Sequence, residues 1–349
     1  VVEPDEAKVE MLRRRFDDSG LYGRRVAVIQ EGENISPFLP YIYDLIILNG
    51  NEHAAEQITK TFSSLRPYGG TACFTRADAG FPDKINKLPL ENGEVAMENN
   101  YAFLTRKGSL PGSGQWTHQY GSASNRTYSD DDLVKPPLGT LWFGGPSNLN
   151  ALPRHHNGPV PQVAGGKLFI LGKETISARC VYTGRELWVR EIPGIGHPFT
   201  DLELEEKFRT GHEVYMSNHP GANFIGSPYV SLEDAVYIID DDRLLSLDPA
   251  TGDILTEFRL PQIQDIEVNE FGHILVSGDY LITTIDPQMF DDGQPGKEDN
   301  WNATSSSMLL VINRHSGEVL WRKRADHGFR HNAIVAGEDC LFLVDGLSE

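Results

Sequence analysis

"SARCVYTGRELWVREIPG", residues 177–194, decides the architecture. Thr183-Gly184 is turn chemistry, because Gly reaches positive φ without strain, and the residues on both sides alternate or branch as strands do. Alone, the stretch is one hairpin. It returns twice, however. "SLDPATGDILT" (246–256) and "LVINRHSGEVLW" (310–321) align with "ARCVYTGRELW" (178–188) on Thr183-Gly184, Thr251-Gly252 and Ser316-Gly317, at intervals of 68 and 65 residues. An apolar run precedes each turn ("KLFILG", "DAVYIID", "YLITTID"), and a shorter strand-like opening precedes each run ("PVPQVAGG", "GSPYVSLE", "HILVSGD"). A fourth opening, "HNAIVAGEDCLFLVDG", begins at 331.

Four short strands per unit, with nothing helical between units, predict β-propeller blades with enlarged loops: three, plus the start of a fourth, over residues 111–349. Thr-Gly makes the turn between the third and fourth strands. The Trp four residues after the Gly, Trp188 and Trp321, is then placed to dock flat between neighbouring blades and bury a large ring. The second unit has Thr256 there, which predicts a weaker joint.

These blades resemble the pyrroloquinoline-quinone-like (PQQ-like) repeat, whose pattern is Ala-x-Asp-x-x-Thr-Gly-x-x-x-Trp. The first unit keeps Ala178, Thr183, Gly184 and Trp188 with Cys180 at the Asp position, and the second keeps Asp248. The lead-in "QWTHQYGSASNRTYSDD" also resembles that family, through Trp116, Asn125, Arg126 and Ser129. In the quinoprotein dehydrogenases of the family, the quinone stacks between a Trp and a pair of adjacent cysteines, with calcium and an Asp base beside it. No two cysteines are adjacent here, so the resemblance implies a binding or scaffold propeller with protein partners, as in outer-membrane assembly factors. A quinone-dependent oxidoreductase is the alternative.

The first 110 residues read differently. "EAKVEMLRRR" (6–15) is helical in its apolar spacing. "RRVAVIQ" (24–30), "YDLIILNG" (43–50) and "GGTACF" (69–74) are runs of the kind buried in a parallel sheet, with a helical window at 52–65 between the last two. This alternation predicts a Rossmann-like, doubly wound α/β sheet. "GEVAMENNYAFLTRKG" reads as an antiparallel hairpin closing it. The region resembles the second half of a class I S-adenosylmethionine-dependent methyltransferase. That resemblance implies Glu3 at the ribose hydroxyls, Glu31 or Glu33 on the adenine side, and Asn49, with Asn51, near the methyl acceptor. The family's first strand and glycine-rich turn would precede residue 1. An active S-adenosylmethionine-dependent methyltransferase in the full-length protein is thus a further alternative that the resemblance implies, whereas PQQ is not expected and no cofactor is expected for this fragment alone. Both halves together resemble multidomain proteins of planctomycete-type bacteria.

Formal charge is −19 over 349 residues, which disfavours nucleic acid and acidic membrane as partners. No apolar run approaches the ~20 residues of a membrane-spanning helix. Cys73, Cys180 and Cys340 are dispersed in strand-like runs and read as core thiols. The opening "VVEPDEAKVEMLRRRF" and the closing "DCLFLVDGLSE" both read as cut inside an element, hence as a fragment. Exported propellers and a cytoplasmic methyl donor give opposing cues on compartment, and the balance leans to export.

One set of candidates lies at blade openings, where inner strands line the propeller axis: Arg154, His155, His156, His219, Arg330 and His331. Converging imidazoles suit a transition metal, or an anion when protonated. No closely spaced ligand pair supports a metal, and the plainer reading is loop residues bonding neighbouring turns. No catalytic residue is assigned. The acidic insertion 286–307 reads as a surface loop, and 201–211 as a short helix. Asn125 and Asn302 begin Asn-x-Thr sequences that matter only in a glycosylating pathway.

Overall fold

The computed structural model describes residues 1–31, 39–50, 53–146, 150–152, 158–196, 226–260, 262–264, 266–289, 304–337 and 339–346. Two compact units result, Val1–Gly108 and Ser109–Glu349, with the division where Gly, Pro and Ser replace helical periodicity. Among the described residues no helix is long and apolar enough to cross a membrane.

In the first unit, β1 (Val2–Glu3) leads into α1 (Glu6–Asp18), whose N-cap Asp5 accepts the Lys8 amide at 3.0 Å. β2 (Ile29–Gln30) pairs in parallel with β1. β3 (Leu45–Leu48), α2 (Ala55–Ser64), β4 (Thr71–Thr75), α3 (Phe81–Ile85), β5 (Gly93–Glu98) and β6 (Tyr101–Arg106) follow. They form a sheet of order β3-β4-β6-β5, in which β3 and β4 are parallel and the other pairs antiparallel. Ile58 and Phe62 on one stripe of α2, with Leu65 at its C-cap, pack on Ala72, Phe74 and Leu104 of the sheet. The single doubly wound sheet expected over 1–110 is thus two sheets among the described residues. The run 24–30 yields only two strand residues because its charged start is folded into a turn, with the amides of Arg25 and Val26 both on Leu21 O.

The second unit contains the predicted blades. The first is β7 (Gln162–Ala164), β8 (Lys167–Gly172), β9 (Thr175–Cys180) and β10 (Glu186–Glu191); the second is β11 (Tyr229–Ser231), β12 (Val236–Asp240), β13 (Arg243–Leu247) and β14 (Ile254–Arg259). Each is an antiparallel meander. The third has β15 (Phe271–Ser277), β16 (Tyr280–Met289), β17 (Thr304–Asn313) and the start of β18 (Val319–Ala336). β18 passes through a register shift between Phe329 and Ile334, and its far end, at the fourth opening, pairs with β19 (Leu341–Asp345) as the fifth strand of the same sheet.

All three repeat turns have one geometry. Gly184, Gly252 and Gly317 take φ of +68°, +73° and +73°, and each donates its amide at 2.8 Å to the carbonyl four residues back, of Cys180, Asp248 and Asn313. Alternation along the strands then sorts side chains between neighbours. Val236, Ile238, Leu245 and Leu247 of the second blade pack with Phe169, Ile176 and Trp188 of the first, whereas Tyr237, Ile239 and Leu244 pack with Ile274, Leu281 and Leu310 of the third. Leu309 and Val311 of the third meet Phe329 and Ile334 of the fourth opening. Sheets buried on both faces by their neighbours are propeller blades.

The docking tryptophan behaves as the motif predicts at one joint. Trp188 lies on the second blade's turn, donating Nε1–H to Pro249 O at 3.1 Å, and a Cβ on Gly252 would sit 2.5 Å from its Cε3. The structure adds a second case. Trp142, outside any strand, donates to Val181 O at 2.7 Å and covers Gly184 so closely that a Cβ there would overlap its ring. At the third turn the pattern lapses: with Thr256 preceding it, Gly317 has nothing within 4 Å of a built Cβ among the described residues. Trp321 is 45% exposed, and no turn of a following blade is among the described residues to receive it.

Candidate functional site

An inner strand of a blade presents backbone N–H and C=O groups toward the axis, and buried ones must find partners. The lead-in supplies them blade by blade. Trp116 exchanges two backbone bonds with Val163 of the first blade (2.9 and 2.7 Å), and Thr117 O accepts Ser231 N of the second at 3.1 Å. His118 Nε2 accepts Val276 N of the third at 3.1 Å. Ala123 O then accepts Ala336 N of the fourth opening at 2.9 Å, and Asn125 Nδ2 donates to Ile334 O at 3.2 Å. Residues 116–125 therefore cross the inner strands of the three blades and the far end of β18 at the fourth opening. The Asn-x-Thr amide at Asn125 is consumed in this contact.

Three imidazoles meet there. His118 is buried with both nitrogens in use: Nε2 accepts the Val276 amide, so Nδ1 carries the proton and donates to Thr117 Oγ1 at 2.7 Å. Burial lowers its pKa to about 4. His331, 0% exposed, places Nε2 2.7 Å from Ser306 Oγ and 3.4 Å from Thr284 Oγ1. His273 stacks on it with ring centroids 5.5 Å apart and planes 18° from parallel. His273 is 6% exposed, and neither ring nitrogen has a hydrogen-bond partner among the described residues. Its pKa is pushed well below the usual value by burial first, then by the charges His331 and His118 would carry. The cavity at these rings, which Gly226, Tyr229 and Asn332 also line, is about 10 Å³. That is space for about one water molecule.

The chemistry open to this cluster is limited. His118 has no lone pair left for a metal, and among the described residues no group of three or more His, Cys, Asp or Glu could hold one. Ser306 beside His331 has the spacing of a nucleophile and its base, yet both are fully buried, so no substrate reaches them. Desolvation favours the neutral form of His118 and His273. The cluster can order the inner strands of the third blade and the fourth opening and the lead-in that spans them.

Of the six candidates expected at the channel mouth, Arg154, His155, His156 and His219 lie outside the described residues. His331 joins the buried cluster and does not stand at an open mouth. Arg330 is likewise buried, 5% exposed, with Nε donating to Gly346 O at 2.7 Å. His118 and His273 were missed in the sequence, where they are separated by 155 positions. The only available signal was that His118 sits in the lead-in and His273 in a blade opening.

In the first unit, Glu3 ends β1 and Glu31 follows the parallel strand β2, with Glu31 N on Glu3 O at 3.1 Å. Glu3 Oε1 already accepts Asp5 N at 3.1 Å and lies 3.7 Å from Lys8 Nζ. Asn49, after β3, accepts Thr75 Oγ1 from the end of β4 at 2.9 Å. His53, not anticipated, packs edge-on against Phe74 and Phe81 close by. Glu33, Asn51 and Asn302 lie outside the described residues, as do 201–211 and residues 290–303 of the acidic insertion.

No protein-family model and no curated protein matches this chain. Several solved structures do. A quinohemoprotein alcohol dehydrogenase from Comamonas testosteroni is 16% identical over 60% of this chain and 27% of its own, at a TM-score of 0.37. A europium-containing methanol dehydrogenase is 13% identical over 61% and 32%, at 0.35. BamB from Moraxella catarrhalis is 14% identical over 48% and 42%, at 0.26. The chain thus spans about a quarter to two-fifths of the length of these structures. Their TM-scores are too low to carry an assignment, and it is the chain's own strand pairing and interblade packing that make the second unit a set of β-propeller blades.

Proposed function

We propose that the propeller unit is a binding or scaffold module for protein partners. The supporting observation is the inner end of the blades. Small-molecule sites occupy roughly 300–1,000 Å³, against a cavity of about 10 Å³ at the His cluster. The cysteines agree with this reading, since no two are adjacent to stack on a quinone: Cys73 and Cys180 are buried singly and Cys340 is exposed. The test is incubation with PQQ and calcium, followed by dye reduction with alcohols or sugars. No turnover is expected; turnover would replace this reading with the quinoprotein one. Export, suggested by the repeat type, is checked by locating the native protein in periplasmic or cytoplasmic extracts.

The first unit is read as the later part of a methyltransferase-type sheet. Glu3 and Glu31 at adjoining parallel strand ends, Asn49 at the next, and the antiparallel β5–β6 hairpin support this. S-adenosylmethionine needs a glycine-rich turn at its methionine end, and the unit's sequence has none after a first strand. The chain as it stands is not expected to bind the cofactor. Calorimetric titration decides: heats indistinguishable from dilution agree, whereas saturable micromolar binding would make the active-methyltransferase alternative the better one.

A further inference from the structure

The lead-in is fastened to the inner strands through one deeply buried side chain. Between residues 116 and 125 only His118 and Gly121 are buried, and the rest of the stretch is partly so. His118 reaches across to the third blade, where its Nε2 lone pair accepts the Val276 amide at 3.1 Å, while Nδ1–H donates to Thr117 Oγ1 at 2.7 Å. A proton on Nε2 turns that acceptor into a donor facing another donor, so the bond to Val276 is lost on protonation. The surroundings offer a cation nothing in exchange. Tyr120 of the lead-in, Tyr229 of β11, His273 of β15 and His331 of β18 are the titratable groups that line the cavity with it, and no carboxylate is among the described lining residues. His273 stacks on His331 at 5.5 Å, and a charge on one imidazole of the cluster opposes a charge on the next. The blades do not depend on this fastening. They hold one another through apolar faces, Ile238 and Leu245 against Phe169 and Trp188 on one side of the second blade, and Ile239 and Leu244 against Ile274 and Leu281 on the other.

We propose that residues 117–125 form an acid-released strap: protonation of His118 frees them from the inner strands of the third blade and the fourth opening while the blades stay packed. Release lets water reach the imidazoles and uncovers the amides of Val276 and Ala336, which bond to His118 Nε2 and Ala123 O in the closed form. The pKa of His118 is about 4 when closed against 6.5 when free. The strap is therefore fully held above pH 6.5, and its hold declines as pH falls toward 4.

Native-state hydrogen exchange on the whole chain, corrected for the intrinsic pH dependence of amide exchange, reads the opening at Val276 and Ala336. Between pH 7 and 4 the opening constant there should rise at least about 100-fold. The amides of β12 and β13 should remain slower by more than about tenfold at pH 4, because the strap opens without the blades. His118→Asn keeps an acceptor but does not titrate, so its rise should be smaller by about the same 100-fold factor. His118→Gln repeats the test with a longer side chain in case the first variant does not fold. The proposal is overturned by exchange at Val276 and Ala336 that is independent of pH, that merges with the rates of β12 and β13, or that keeps its full pH dependence in the variants.

Discussion

Trp188 and Gly252 stand 64 positions apart and constrain each other, because the ring occupies the space a side chain at 252 would need. Gly252 also holds φ at +73°, which L side chains rarely adopt. Two costs therefore add in Gly252→Ala, strain and collision, and the variant should lose more stability in urea unfolding than the ~1 kcal/mol of an ordinary Gly→Ala misfit. Trp188→Ala should cost about 3–5 kcal/mol. Because the second change removes the ring that the first collides with, the double variant should be less destabilised than the sum of the two; strict additivity would mean that the ring and the turn act separately. The imidazoles offer a second test at this scale. His118 has a pKa of about 4 folded against 6.5 unfolded, so the unfolded chain takes up the proton first as pH falls. Its contribution is complete above pH 6.5 and is lost progressively toward pH 4, by about 3 kcal/mol. His273 shifts in the same direction. His273→Leu removes two buried nitrogens without bonded partners, so it should unfold at equal or higher denaturant and lose less stability between pH 6.5 and 4. A variant less stable at neutral pH would show that His273 holds the site together through contacts beyond packing.

At the scale of elements, the lead-in acts as a strand without being one. It makes one or two bonds to each of four inner strands, and its side chains do part of the work of a backbone ladder. His118→Ala should therefore leave the Val276 amide buried and unpaired, at a cost of about 1–3 kcal/mol. His118→Asn, which keeps an acceptor on the side chain, should recover part of that loss; no recovery would mean the ring's packing matters more than its bond. The repeat motif was legible because turn geometry is local. Thr183-Gly184 and its two counterparts need only neighbouring residues to reach positive φ and close the bond to the carbonyl four back. Trp142 was not legible by the same route, because no turn of its own precedes it. Its role depends on which loop lies across the first blade.

Across the molecule, protection should follow how many faces a sheet buries. β12 and β13 are covered on both sides, whereas the outer strand β14 exposes Ile254 and Leu255 and β3 exposes Leu45 and Ile47. Hydrogen exchange should therefore be slowest in β12–β13 and fastest in β14 within the propeller unit; uniform exchange would indicate that blades open together. The sequence alone determined the division near residue 110, the four-strand repeat and its turns, since each depends on composition or on contacts within one unit of about 65 residues. It did not determine that His118, His273 and His331 would meet at one place or that Asn125 would bond Ile334 in the far end of β18. Those are encounters between residues tens to hundreds of positions apart. The order of blades around the lead-in creates them, and only the tertiary structure specifies that order.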